Sequence, residues 1–194
     1  MSTRRVVITG VGAVSAAGIG ADALTEAVRG PTSWTRRVGA FDAAGLASQV
    51  AGEVPELSTT KFVPRNYRKA VKVMARDIEI AVAAAELAFR DAGIVTPGSD
   101  SENATVDPKR LGCNIGAGLI CSDLTELGTA VNTAVVDGKL DLQAWGRDGI
   151  NNLTPLWLLK YLPNMLSCHV TIIHKAEGPS NCITCGACSS IALG

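Results

Sequence analysis

The chain has 194 residues, of which 47% are hydrophobic and 19% are charged, a composition typical of a globular protein and not of a disordered or fibrous one. Eighteen lysine and arginine residues balance eighteen aspartate and glutamate residues, so no net charge attracts nucleic acid or an anionic membrane. No apolar stretch is long enough to predict a helix that spans a bilayer, and we expect one large domain with neither nucleic acid nor membrane as a partner.

The first half of the chain alternates between predicted strands and helices. Residues 5–10 form a β-branched run that ends at a glycine, which predicts a buried strand entering a turn. A helix over residues 21–29 and a strand over residues 50–54 follow. In residues 67–92 apolar side chains recur every three or four positions, which predicts one long amphipathic helix closed by a glycine.

The second half continues this alternation. Its predicted elements, in chain order, are a surface loop over 97–109, a strand over 111–119 that runs into Gly116-Ala117-Gly118, a helix over 125–136, a turn at Asp137-Gly138, an exposed loop over 149–153, a helical stretch over 156–174 interrupted at Pro163, and a strand over 181–184. Strands that alternate with helices in this way indicate the α/β class.

Six cysteines in a chain of this length indicate reduced thiols and a cytoplasmic protein, because disulfide frameworks are typical of much smaller secreted domains. Residues 6–20 resemble a signal peptide in being uncharged, but the glycines among them favour a strand and a tight turn. The Gly10-Val11-Gly12 motif is similar to a dinucleotide fingerprint, yet Ser15 stands where the third glycine belongs. No nucleotide cofactor is therefore expected.

The last three cysteines admit two chemical interpretations. Cys182, Cys185 and Cys188 have the spacing of the first three ligands of an iron-sulfur run, but Ala192 stands in place of the fourth cysteine. Alternatively, the small residues on either side of Cys188 suit a nucleophile elbow, a sharp turn between a strand and a helix. The helix N-terminus would lower the pKa of a thiol there and direct N–H groups at an oxyanion, so a cysteine could accept an acyl group.

A family resemblance favours the elbow. The motifs that carry it are, in chain order, residues 5–15, Phe41-Asp42, Ala51-Gly52-Glu53-Val54, the helix end Ala88-Phe89-Arg90-Asp91-Ala92-Gly93, Pro163-Asn164-Met165 with Cys168-His169-Val170, and Gly178-Pro179 before the small-residue elbow. In this order and at this spacing they resemble the β-ketoacyl-acyl-carrier-protein synthases, the condensing enzymes of fatty acid and polyketide synthesis.

The resemblance implies a thiolase-like layered fold, of which residues 1–194 would form an incomplete N-terminal half, a mixed sheet with helices on its faces. It implies a decarboxylative Claisen condensation of an acyl thioester with malonyl carrier protein, without cofactor or metal. Acyl carrier protein and acyl thioesters are the implied partners, and a homodimer or heterodimer the implied assembly. The C-terminal half, with the two catalytic histidines of most members, would lie beyond residue 194, so the fragment alone is expected to be inactive.

The position of the nucleophile has two possible registers. Matching the family's Thr-Ala-Cys pattern to Gly186-Ala187-Cys188 places the nucleophile, and one oxyanion-hole N–H, on Cys188, which we favour. Counting forward from Gly178-Pro179 places Ala187 there instead, and the protein would then resemble a non-condensing chain-length-factor subunit. Cys182 and Cys185 are expected to be strand residues that face packed neighbours, and His169 and His174 to be packing or interface residues. An iron-sulfur protein that uses Cys182, Cys185 and Cys188 is the remaining alternative.

Overall fold

The computed structural model describes residues 5–185. Within this range the α-helices are α1 (Ala21–Arg29), α2 (Arg76–Asp91), α3 (Leu124–Thr133), α4 (Leu142–Arg147), α5 (Trp157–Tyr161) and α6 (Met165–His174). The strands are β1 (Val14–Ser15), β2 (Gly18–Ile19), β3 (Arg36–Arg37), β4 (Val50–Ala51), β5 (Cys113–Gly116), β6 (Val135–Val136), β7 (Lys139–Leu140) and β8 (Ser180–Ile183). Short 3-10 helices cover Thr59–Lys61, Arg65–Val73, Pro108–Arg110 and Gly149–Asn152.

The strands pair as four separate two-stranded sheets. β1–β2, β3–β4 and β6–β7 are antiparallel, whereas β5 and β8 are parallel and joined by a long crossover that contains α3 to α6. The α/β class and the mixture of parallel and antiparallel pairing are thus confirmed. In the described part of the chain, however, the strands do not join into the single mixed sheet that was expected.

Residues 5–10 differ most from their prediction. They form no strand, and Val6 and Ile8 expose 92% and 87% of their surface. A β-branched run forms a strand only where another strand satisfies its backbone, and in the structure residues 5–9 have no such partner among the described residues. The prediction of a buried strand is wrong for this conformation.

The predicted long helix is divided in two. A 3-10 helix covers Arg65–Val73, Met74 and Ala75 are extended and buried, and α2 begins at Arg76. Like charges four residues apart in the first part, Arg65 with Lys69 and Arg68 with Lys72, disfavour a continuous α-helix there.

The C-terminus of α2 has the predicted glycine stop. Gly93 has a φ of 65°, and the N–H groups of Gly93 and Ile94 donate to the carbonyls of Arg90 and Phe89. These two bonds are those of a Schellman motif, in which a glycine adopts the left-handed conformation at low cost.

The main core lies between α2, α6 and the β5–β8 pair. Ile78 and Val82, one helical turn apart on α2, are completely buried, and Leu166, Val170 and Ile173 on α6 pack in the same cluster. The helical stretch over 156–174 is interrupted at Pro163 as expected, because α5 ends before the proline and α6 begins after it.

The helix α3, the first helix of the crossover, ends earlier than expected. α3 stops at Thr133, and Asp137 and Gly138, with φ of 50° and 75°, form the turn of the hairpin β6–β7. A positive φ at both central positions is characteristic of a type I′ turn. The predicted turn is therefore confirmed. The predicted exposed loop at 149–153 is a 3-10 helix whose Gly149 is buried against α3.

No helix among residues 5–185 combines the length and the apolarity that crossing a membrane requires.

Candidate active site

The carboxyl ends of β5 and β8 lie side by side. Gly116 and Ile183, the last residues of the two strands, are paired, and the N–H of Ala117 donates to the carbonyl of Ile183 at 2.9 Å. β5 continues into Ala117 and Gly118, and β8 continues into the segment of the predicted elbow. In a parallel sheet this edge is the usual place for a ligand site, so it is the candidate active site of the chain.

Two glycines allow the strands to approach closely at their opposite ends. A Cβ atom on Gly112 would lie 2.3 Å from the carbonyl oxygen of Pro179, and one on Gly178 would lie 2.7 Å from that of Leu111. The N–H of Gly178 donates to the same Leu111 oxygen at 2.9 Å. The Gly178-Pro179 motif therefore sets the register with which β8 leaves towards the elbow.

The two candidate positions of the nucleophile, Cys188 and Ala187, lie outside the described residues, and the assignment of Cys188 stays a prediction. The two preceding cysteines have different surroundings. Cys182 is half-buried on β8 and its thiol donates to the carbonyl oxygen of Pro163 at 2.9 Å, as expected of a packed strand residue. Cys185 is exposed and follows the end of β8, so its expected place in the strand is wrong.

Three cysteines, on β5, α6 and β8, are near enough to influence one another's titration. Burial raises the pKa of Cys113, and the neighbouring thiols of Cys182 and Cys168 raise it further. Burial likewise raises the pKa of Cys182, with a smaller contribution from Cys168. Cys113 and Cys182 therefore stay protonated at neutral pH, which makes them poor nucleophiles.

A metal centre would need ligands that converge on one point. Among residues 5–185 no three histidine, cysteine or acidic side chains are arranged to hold an ion. The iron-sulfur alternative also requires Cys188, which lies outside this range.

Both histidines are buried on α6. His174 exposes 1% of its surface, its Nδ1 lies 3.1 Å from the Thr96 hydroxyl, and its ring packs 4.4 Å from that of Phe89. Burial lowers the pKa of His174 to about 4 and also lowers the pKa of His169. Their expected role in packing is confirmed, because both are neutral core residues at neutral pH.

A polar network joins two helices of the crossover, and no pattern in the sequence predicted it. The carboxylate of Glu126 on α3 accepts from the Lys160 ammonium at 2.6 Å and from the Tyr161 hydroxyl at 2.8 Å. The bond from Lys160 is the main reason that the pKa of Glu126 lies below its ordinary value, although partial burial opposes it. These partners are more than 30 positions apart in the chain, so only the fold brings α3 and α5 together.

A run of lysines and arginines was not predicted to be functional, although it can be read directly from the sequence. Residues 61–76 contain six lysines and arginines and no acidic residue. Arg65, Arg68, Lys69 and Lys72 are exposed, and none of them has an ion pair with a described residue. They form a strongly positive surface on a protein of zero net charge, and we call them the cationic segment.

Comparison with known proteins identifies the fold and the family. The family model described as "Beta-ketoacyl synthase, N-terminal domain" matches residues 3–193. The chain is 28% identical over 193 residues to the granaticin polyketide putative beta-ketoacyl synthase 1 of Streptomyces violaceoruber, covering 97% of this chain and 41% of the relative. It is 27% identical over 184 residues to the 3-oxoacyl-[acyl-carrier-protein] synthase 2 of Vibrio harveyi, covering 95% and 39%.

A solved structure supports the fold. The ishigamide ketosynthase/chain length factor superposes with a TM-score of 0.69 at 22% identity, over 94% of this chain and 40% of that one. The chain thus spans about two fifths of the length of the relatives that it matches. Since the family model extends over nearly all residues, and the superposition confirms the thiolase-like fold, the chain belongs to the β-ketoacyl synthase family.

Proposed function

We propose that the protein is a β-ketoacyl synthase that condenses an acyl thioester with malonyl carrier protein in fatty acid or polyketide synthesis. The observation that carries the proposal is the position of β8. Its last residue, Ile183, lies at the carboxyl edge of the parallel pair, five positions before Cys188 and next to the loop that follows β5. A cysteine in a small-residue turn at this edge would have the surroundings that a nucleophile elbow requires, which supports the proposal.

The reaction then follows from the chemistry of a thiolate. Cys188 attacks the acyl thioester, and the carrier thiol leaves as the acyl group is transferred. The malonyl carrier loses CO₂, and the resulting carbanion attacks the acyl carbonyl, so that a carbon–carbon bond forms and the Cys188 thiolate departs. The backbone N–H of Cys188 supports the oxyanion in both acyl transfers. Residues 1–194 would supply this nucleophile as an N-terminal part, and the catalytic histidines would lie beyond residue 194.

Alkylation by a cerulenin-like acyl mimic tests the nucleophile. In a full-length version of the protein, peptide mass spectrometry should find the adduct on Cys188. The adduct should be lost in Cys188→Ala and retained in Cys185→Ala, a matched control because Cys185 is an exposed thiol three positions away. Equal labelling of both cysteines, or labelling of neither, would contradict the assignment.

A non-condensing subunit similar to a chain-length factor is the second candidate. It is favoured by the register that places Ala187 at the nucleophile position, and the superposition on a ketosynthase/chain length factor assembly is compatible with it. A protein of this kind would not react with the mimic and would bind an active synthase as a heterodimer. Copurification with a second synthase-like chain, together with absent labelling, would establish this alternative.

We further propose that the cationic segment binds the carrier protein. The V. harveyi relative is named for an acyl carrier protein, and a positive surface whose cations have no ion pair with a described residue is suited to an acidic partner. The cationic segment and the β5–β8 pair belong to one packed unit, since Val63, Tyr67 and Val71 contact the core that supports β5. Long-range attraction through exposed cations speeds association and weakens as salt is added.

Charge reversal tests this docking surface. The double variant Arg68→Glu/Lys69→Glu of the full-length protein should bind carrier protein about tenfold more weakly at low salt, measured by calorimetry. Arg36→Glu/Arg37→Glu is the matched control, because it reverses two exposed adjacent cations on β3. Equal weakening by both variants would show a general charge effect and contradict a specific surface.

The protein is proposed to act in the cytoplasm as a homodimer or heterodimer. Cys113, Cys121, Cys168 and Cys182 form no disulfide with another described residue, which suits a reducing compartment. Sedimentation of the full-length protein would test the dimer.

A further inference from the structure

The loop that leaves β5, residues 117–122, is here called the β5 loop, and it starts at the candidate active site. At its first residue the N–H of Ala117 donates to the carbonyl of Ile183, the last residue of β8. Residues 118–122 make no backbone–backbone hydrogen bond with another described residue, and in the middle of the loop the side chain of Ile120 packs in the main core. The shape of the β5 loop therefore depends on Ile120 and on how its two ends are held.

The far end of the β5 loop meets Asp123, which is fixed from two sides. The Asp123 carboxylate caps α3 by accepting from the N–H groups of Thr125 and Glu126 at 2.8 and 3.2 Å. The N–H of Asp123 itself donates to the hydroxyl oxygen of Tyr161 on α5 at 3.1 Å. Because this N–H belongs to the main chain, the bond to Tyr161 fixes the backbone where the loop ends.

The Tyr161 hydroxyl is oriented to accept this bond, because its own proton is engaged elsewhere. It donates to the Glu126 carboxylate at 2.8 Å, and the Lys160 ammonium donates to the other oxygen of that carboxylate at 2.6 Å. Burial raises the pKa of Tyr161 and the Glu126 carboxylate raises it as well, although the bond from Asp123 opposes them. The hydroxyl therefore keeps its proton at neutral pH and both accepts and donates.

We propose that Tyr161 is a positioning residue that holds the β5 loop in the shape needed to bind the acyl substrate. The inference rests on the proposed function, since it concerns the acylation of Cys188. Tyr161 acts through the N–H of Asp123 and takes no part in the chemical step. Without the hydroxyl the loop would adopt several shapes, and the apparent affinity for an acyl group would fall with the fraction of molecules in the competent one.

Inactivation of the full-length protein by the cerulenin-like mimic tests the effect on acyl binding. Tyr161→Phe keeps the ring and removes the hydroxyl, so it should raise the half-saturating concentration of the mimic about five- to tenfold while the maximal rate stays within about twofold. A variant that merely unfolds in part would lower the amount of reactive protein and leave the half-saturating concentration unchanged.

Asn152→Ala is the matched control. Asn152 donates to the Thr133 hydroxyl at 2.8 Å, so this variant also removes one side-chain hydrogen bond of the crossover, but at the opposite end of α3 from the β5 loop. The half-saturating concentration of the mimic should be that of the wild type.

Hydrogen exchange measured by mass spectrometry on the full-length protein tests the positioning without the reaction. Peptides that cover residues 117–123 should exchange about five- to tenfold faster in Tyr161→Phe than in the wild type. They should exchange at the wild-type rate in Asn152→Ala. The exchange of α6 should be the same in all three proteins, because α6 belongs to the main core and not to the loop.

Three results would overturn the proposal. Unchanged exchange of residues 117–123 in Tyr161→Phe would mean that the loop is held without the hydroxyl. Faster exchange of α6 as well, or equal loosening in Asn152→Ala, would mean that Tyr161 supports the fold as a whole. A loosened loop with an unchanged half-saturating concentration would mean that the loop has no part in acyl binding.

Failure of the proposed function gives a different result. If the mimic does not label Cys188 in the wild type, the proposed function and the role of the loop in acyl binding are both wrong. The exchange of residues 117–123 then still decides whether Tyr161 holds the loop.

Discussion

Burial of His174 should make the stability of the protein depend on pH. Its imidazole is enclosed between α6, α2 and residues 96–99, with Thr96 at Nδ1 and the Glu86 carboxylate 4.0 Å from Nε2. The pKa of His174 is lowered from 6.5 to about 4 because the charged ring would lose its hydration. The folded protein therefore holds a neutral His174 down to about pH 4.

The sign and size of the effect follow from linkage. Below pH 6.5 the unfolded chain binds a proton at this residue and the folded chain does not, so the free energy of unfolding falls as pH falls. The slope is about 1.4 kcal/mol per pH unit between pH 6.5 and 4, and the total loss is about 3 kcal/mol. The contribution of His174 is fully present above pH 6.5.

Two measurements check this reasoning. The chain has two histidines, so NMR titration with His169→Gln as the assignment variant gives the pKa of His174 directly. Urea unfolding at pH 7, 6 and 5 should show a steeper loss of stability in the wild type than in His174→Gln, which keeps a hydrogen-bonding side chain but does not titrate. A pKa of 6.5 or higher for His174, or parallel pH profiles, would show that attraction to Glu86 exceeds the effect of burial and would refute the argument.

Two further predictions concern packing and the polar network. Gly98→Ala should destabilise the fold by about 1–3 kcal/mol, because the new Cβ would lie 1.8 Å from the carbonyl oxygen of Ile173. Gly128→Ala, in an open position on α3, should stabilise the fold by up to about 1 kcal/mol. Thermal unfolding distinguishes the two variants, and equal shifts of the melting temperature would contradict the geometry. Glu126→Gln should lower the free energy of unfolding by about 1–3 kcal/mol, because it leaves the partly buried Lys160 ammonium without its carboxylate. Adding Lys160→Met should recover part of that loss. A double-mutant cycle in which the two effects simply add would show that the pair is not coupled.

Local sequence patterns predicted the helices and turns best. The bounds of α1 agree with its predicted range, the break at Pro163 separates α5 from α6, and Asp137-Gly138 forms the hairpin turn. Each of these features depends on residues within one or two turns of the chain, through side-chain periodicity and the backbone preferences of proline and glycine. The candidate nucleophile was found differently, through a family resemblance that the family model confirmed for the chain as a whole.

The sequence by itself determined the bounds of α1, the glycine that ends α2, the turn at Asp137-Gly138, and which family its motifs resemble. Only the tertiary structure decided that β5 pairs with β8 in parallel, that Glu126 meets Lys160, and that residues 5–10 have no strand partner among residues 5–185. The physical reason is the range of the interactions. A helix satisfies its own backbone, whereas a strand or an ion pair needs a partner that is distant in the chain, and the choice of that partner depends on how all the other segments pack.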